Sequence, residues 1–296
     1  MREIRVGDVT ITSIVEREGA WRAPKDMFPD YTAEIGERHI AEMDPVSFDA
    51  ATGKMFITYQ TFVVRTPHHT ILVDTCTGDD KGYPAPMDFD KSPWINGLKA
   101  AGLTVADIDY VFCTHLHIDH CGWNTILRDG RWVPTFPNAK YVFARKEYEV
   151  WEAAARSADP ANDAVNSQNN VFRMNCLPIV QAGQALLVDD DYMLDDLVSL
   201  IPTPGHSPHH CCVNIFSKGQ RAVVTGDMMH HALQCREPSW STIFCTDPAQ
   251  AATSRRNFLA SVADTGTIIL PIHFPAPTAG LIEADGERFH YRYRHT

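Results

Sequence analysis

The stretch CTHLHIDHCG, residues 113–122, sets three histidines and an aspartate within six positions. Packed neutral, His115, His117, Asp119 and His120 leave several polar groups seeking partners. Charged together, they repel one another or carry a burial cost. A bound cation removes both problems, because imidazole nitrogen and carboxylate oxygen are ligands that a borderline metal such as zinc accepts. Alternate residues of an extended segment share a face, so His115 and His117 can grip one ion. Asp119 and His120 come where the chain must turn before Gly122 and can face a second ion. Neither pair fills a shell of three or four ligands, so the chain must supply others.

Three further segments do so, each at the end of an apolar strand. LIPTPGHSPHH presents His206, RAVVTGD ends at Asp227, and TIILPIHF ends at His273. Any one of these is commonplace alone. The elements that position them recur through both halves of the chain. TYQTFVVRTPHHTILVDT reads as two strands joined by a turn near Pro67–His69, DYVFCTH as a short strand delivering His115, and AKYVFARKEYEVWEAAA as strand then helix. SPWINGLKAAGL reads as a helix capped by Ser92, and TDPAQAATSRRNFLASVADTG as one capped by Thr246 or Asp247 with Pro248 early and Gly266 after it. Strands with helices interspersed in each half predict an α/β layered domain of two sheets with helices outside.

With THLHIDH, TPGHS, TGD and PIHF in this order, the chain resembles the metallo-β-lactamase superfamily over nearly its whole length. The resemblance implies an αββα sandwich, two mixed sheets face to face with helices outside, forming one domain over 1–296. It also implies a site for two divalent metal ions. His115, His117 and His206 would hold one ion, Asp119, His120 and His273 the other, and Asp227 would bridge both. Zinc is the first expectation, and manganese and iron suit the same ligands. Two such ions can hold a hydroxide as nucleophile and stabilise charge on a substrate oxygen. Asp119 and Asp227 are then the catalytic carboxylates, Asp119 able to pass a proton to the leaving group.

Within the superfamily, DHCGWNT, TPGHSP and HFPAPTAGLIEADGERFHY resemble the lactonase and organophosphate-hydrolase-like branch, implying hydrolysis of a lactone or ester of a small apolar molecule. Lactonases of that branch carry a tyrosine shortly after the bridging aspartate, whereas this chain has GDMMHHALQ. His230 is the candidate substitute, with His231 beside it. Trp123 and Phe274, with Trp240 behind them, are candidates for an aromatic substrate pocket. β-Lactam or organophosphate hydrolysis at the same site, an iron-dependent oxidoreductase of the same fold, and a metal-braced protein without catalysis are the alternatives. His210 is read as a supporting residue rather than a ligand, and His68 and His69 as solvated turn residues.

Composition bounds the rest. With 296 residues, 44% hydrophobic and 21% charged, there is ample material for a core. The net charge of −11 argues against a protein built to grip phosphates, so no nucleic-acid partner is expected. Only about twenty residues separate His206 from Asp227, too few for the inserted domain of the superfamily's nucleases. No secretory signal is recognised at the start, and no apolar run reaches a membrane span, so a cytoplasmic protein acting on a small molecule is expected. Eight scattered cysteines form no C-x-x-C pair and read as reduced, mostly buried thiols, Cys121 included. Residues 20–55 lack clear periodicity and are read as a surface segment, an apolar flap, or the contact of a homodimer.

Overall fold

The structure is a computed structural model and describes residues 1–295. It is mixed α/β, with two large mixed sheets of eight and seven strands and a small two-stranded one. The chain forms two compact units, one of Met1–Gly7, Arg17–Thr58 and Met193–Thr296, the other of Asp8–Glu16 and Tyr59–Tyr192.

In the second unit, strands Thr70–Val73, Tyr110–Phe112, Lys140–Ala144 and Ala185–Val188 pair in parallel, and Lys54–Arg65 pairs antiparallel with Thr70–Val73. The central segments TILV, YVF and KYVFA are nearly continuous apolar runs, as strands covered on both faces require. Their side chains enter a core that includes Leu72, Val111, Tyr141 and Phe143, joined by Trp94 from the helix Ser92–Ala100. That helix begins one residue earlier than expected. Lys91 occupies the cap position, and Asp90, not Ser92, accepts the first amide, that of Ser92.

Lys81 lies in the same unit, buried, donating to the Thr125 carbonyl and hydroxyl with its ammonium over the Trp132 ring. Burial lowers its pKa to about 7. Between pH 7 and the ordinary lysine range, the unfolded chain therefore holds a proton that the folded chain has lost, and stability rises with pH. Below pH 7 Lys81 is charged in both states and the full burial cost is present. Lys81→Met is expected to unfold at higher urea than wild type at pH 6, by about 1–3 kcal/mol, with the gap closing by pH 10. A gap that is constant with pH would refute this.

In the first unit the seven-stranded sheet runs Met193–Leu194, Val198–Pro202, Cys211–Ser217, Gln220–Val224, Ile268–Leu270, Gly280–Asp285, Arg288–Tyr293. All neighbours are antiparallel except Gln220–Val224 with Ile268–Leu270. The last two strands form a hairpin pairing Asp285 with Arg288. Gly286, at φ +61°, supplies the left-handed residue that a two-residue turn needs. Phe289, Tyr291 and Tyr293 alternate inward from it and meet Phe258 and Leu259 of the helix Pro248–Val262. Asp247 caps that helix by accepting from the Gln250 amide, with Pro248 in its first turn.

Residues 20–55 carry regular structure: the end of the strand Val9–Arg22, the helices Pro24–Met27 and Ala33–Glu42, and Phe48–Asp49 paired with Lys54 and Met55. Met27 and Phe28 pack with Met55, Ile57, Leu233 and Trp240 in a separate core cluster. These apolar side chains, Trp240 included, are buried against one another.

Candidate metal centre

In the second unit the strand Tyr110–Phe112 ends two residues before Thr114, and the following loop stacks the predicted ligands. The His115 ring lies 4.5 Å from His117 and 4.1 Å from His120, centroid to centroid, and Asp119 Oδ1 is 3.6 Å from His120 Nε2. His115 and His120 are buried, while His117 and Asp119 are partly exposed and mark the open side. Trp151 flanks His117 at 5.8 Å, its indole N–H held by Glu147.

This loop is braced by a residue absent from the sequence reading. Asp74 follows the strand Thr70–Val73 and is fully buried. It accepts from the Thr114 amide at 2.7 Å and hydroxyl at 2.8 Å, with His120 Nδ1 at 2.8 Å. Accepting from Nδ1–H leaves the Nε2 lone pair of His120 free of a proton and ready for a cation. The loop closes on residues 75–78 through Thr75 N to His120 O, Gly122 N to Cys76 O and Trp123 N to Thr75 O. A β-carbon on Gly122 would stand 2.0 Å from the Thr77 carbonyl carbon, so only glycine fits there. ILVDT ends an apolar strand on a carboxylate just as RAVVTGD does, and that was the available signal for Asp74.

In the first unit Asp227 is the hub. Its carboxylate lies 3.1 Å from His206 Nε2, 3.1 Å from His230 Nε2 and 2.8 Å from His273 Nε2, all four groups buried. The His230 ring stacks on His273 at 5.1 Å and lies 5.0 Å from His206. His206, Asp227 and His230 each offer a ligand atom within 4.8 Å of the others. Burial pulls the His206 pKa down, but Asp227 outweighs it and carries the group up to about 9. Burial dominates at His230 and lowers it to about 4, with Asp227 opposing. His230 is therefore a neutral imidazole at pH 7. Its Nδ1 is buried without a hydrogen-bond partner among the described residues. A buried carboxylate ringed by imidazole nitrogens is a donor set that fits divalent zinc, manganese or iron.

Neighbouring histidines separate by contact. His210 Nε2 accepts from the Asp227 amide at 3.0 Å and its Nδ1 meets Thr203 Oγ1 at 2.8 Å, so it fixes the backbone of the hub. His231 is held by the Ser47 carbonyl and the Leu233 amide, and burial lowers its pKa to about 4. His273 Nδ1 is anchored by the Thr58 carbonyl at 2.9 Å. Cys121 is buried, its thiol on the His117 carbonyl, and packs as expected.

The two aromatic pocket candidates are buried. Trp123 stacks on Trp94 at 4.8 Å and donates its indole N–H to Glu16. Phe274 is fully buried against Tyr291 and Tyr293. Core packing occupies both rings, which leaves almost no surface for a ligand. An exposed aromatic near the hub is Phe244, whose ring lies 6.2 Å from that of His230 and has the Arg22 guanidinium over it at 4.9 Å.

Among the described residues no helix is long and apolar enough to cross a membrane. The family model described as the metallo-beta-lactamase superfamily matches residues 57–273. Among curated proteins, the N-acyl homoserine lactonase AiiA of Bacillus thuringiensis subsp. kurstaki is 25% identical over 162 residues, 50% of this chain and 54% of that protein. The N-acyl homoserine lactonase AttM of Agrobacterium fabrum is 31% identical over 118 residues, 39% of each. The chain thus spans about half the length of the curated relatives it matches. Among solved structures, the hydrolase AbOPH of the beta lactamase superfamily gives a TM-score of 0.81 at 22% identity, over 99% of this chain and 97% of that one. AidC, a dizinc quorum-quenching lactonase, gives 0.79 at 20% identity, over 100% and 97%. The two large mixed sheets with their helices agree with the αββα architecture. On the match of residues 57–273, together with the motifs His115–His120, His206, Asp227 and His273 that fall within it, the chain belongs to the metallo-β-lactamase superfamily.

Proposed function

We propose that this protein is a metal-dependent hydrolase that opens a lactone or ester of a small apolar molecule. The observation that carries the reading is the buried Asp227 carboxylate with three imidazole Nε2 atoms within 3.1 Å, one of them, His206, supplied by the TPGH turn. In this reading His115, His117 and His206 hold one divalent cation, Asp119, His120 and His273 a second, and Asp227 serves both. When bound, such a pair supplies an activated water and polarises a substrate carbonyl oxygen. The protein's own groups do the rest. Asp74, Thr58 and His210 fix the ligands, and Asp119, partly exposed, carries a proton toward the leaving group. Support for a lactone comes from the names of the lactonase relatives.

The test is metal content per chain by elemental analysis on protein purified without added metal, paired with a chromogenic lactone, ester, β-lactam and phosphotriester panel. Two zinc or manganese ions with lactone or ester turnover is the expected result. Turnover confined to β-lactams or phosphotriesters would move the substrate class. A chain carrying iron with no hydrolysis would replace the reading with an oxidoreductase. His230→Ala is expected to keep both metals while changing the ratio of kcat/KM between a lactone and an aryl ester by about 10-fold or more. An unchanged ratio would remove His230 from substrate recognition.

A further inference from the structure

Three of the ligand histidines described above have their Nδ1 atoms set by oxygen: His120 by Asp74, His273 by the Thr58 carbonyl, and His115 by the Thr114 hydroxyl at 3.2 Å. At His206 the atom facing Nδ1 is sulfur. Cys245 Sγ lies 3.8 Å from it, and Thr242 Oγ1 is 3.5 Å from the same sulfur. The placement is built into the fold. The Thr246 amide donates to the His206 carbonyl and the Asp247 amide to the Gly205 carbonyl, zipping residues 245–247 to the TPGH turn. Asp247 then caps the helix Pro248–Val262, so the start of that helix fixes the thiol. On the other side of the ring, His206 Nε2 faces Asp227 at 3.1 Å.

We infer that Cys245 is a positioning residue for His206: its sulfur accepts the Nδ1 proton, selecting the tautomer whose Nε2 lone pair faces the metal site. The inference rests on the metal-binding reading above. Removing such an outer partner from a metal-ligating histidine typically costs 10–100-fold in metal affinity. A thiol differs from the oxygen partners in being chemically addressable. Cys245 is the one cysteine that is not buried, the other seven being enclosed. Alkylation at that sulfur forms an S–C bond, expels iodide from iodoacetamide with release of the thiol proton, and places a bulky group where the imidazole contact was. Metal retention by this protein is therefore sensitive to thiol modification at one position, with no cysteine among the proposed ligands.

The experiment measures zinc affinity by competition with a fluorescent chelator, for wild type, Cys245→Ser and Cys245→Ala, alongside urea unfolding of the metal-free chains. Cys245→Ala is expected to bind zinc about 10–100-fold more weakly, with an unfolding midpoint matching wild type. Cys245→Ser, which keeps an acceptor on a shorter bond, is expected to fall between the two. Should Cys245→Ala fail to fold, native wild type treated with iodoacetamide gives the same readout: one adduct, mapped to Cys245, and the same loss of affinity. Equal zinc affinity in Cys245→Ala, or in the alkylated wild type, overturns the positioning role while leaving the metal centre intact. A wild type that takes up no zinc overturns the metal-centre reading, and this inference with it.

Discussion

Asp227→Ala is expected to lower bound metal from the proposed two ions per chain to less than one and to cut hydrolysis by at least about 100-fold, the lower range for loss of one electrostatic stabiliser. The cause is local. Asp227 is the carboxylate that His206, His230 and His273 share at 2.8–3.1 Å, all within a buried site. Without it three imidazoles face one another with no anion among them, and their rings, about 5 Å apart, have no common partner to orient them. Asp227→Asn keeps the shape and one acceptor oxygen while removing the charge, so it is expected to fold like wild type and still lose most metal. Elemental analysis and chelator competition read the metal term independently of turnover. Full occupancy with normal activity in Asp227→Ala would sink the assignment of the hub.

Asp74→Ala is expected to damage the other half of the ligand set through the fold. Asp74 is fully buried, sits at φ +56°, and accepts from the Thr114 amide, the Thr114 hydroxyl and His120 Nδ1. Its removal orphans three donors where water does not reach, and at about 1–3 kcal/mol for each unsatisfied buried group the expected loss is about 3 kcal/mol or more. Urea unfolding should show that loss, and an unchanged midpoint would refute it. Asp74→Asn separates positioning from stability. It fills the same space with one acceptor and one donor group, so it is expected to fold while losing about 10–100-fold in metal affinity through a misoriented His120. Metal binding equal to wild type in Asp74→Asn would mean that Asp74 serves the loop alone.

The legible part of the site was the part encoded by short spacing. His115, His117, Asp119 and His120 lie within one loop, and their alternation after an apolar strand already implies clustering, which the ring distances of 4.1–4.5 Å bear out. The strands Cys211–Ser217 and Gln220–Val224 and the helix Pro248–Val262 were equally readable, since apolar runs, turn residues and caps are local signals. Residues 20–55 failed that reading because their helices are short. Their apolar side chains answer to Leu233 and Trp240, which are distant in sequence, rather than to a period of their own.

By itself the sequence determined which groups can bind metal, because only histidine and carboxylate side chains at strand ends supply those donor atoms, and it determined the superfamily through their order. Tertiary structure decided how those donors are held. Asp74 reaches His120 across 46 residues and Cys245 reaches His206 across 39, separations over which no periodicity carries information. It also decided what the aromatic residues do. Trp123 and Phe274 adjoin ligand motifs in the chain, yet their rings point into the core, where burying an aromatic face is worth more than leaving it at a pocket wall. Proximity along the chain fixes where a backbone atom lies; the direction of a side chain is set by what packs around it.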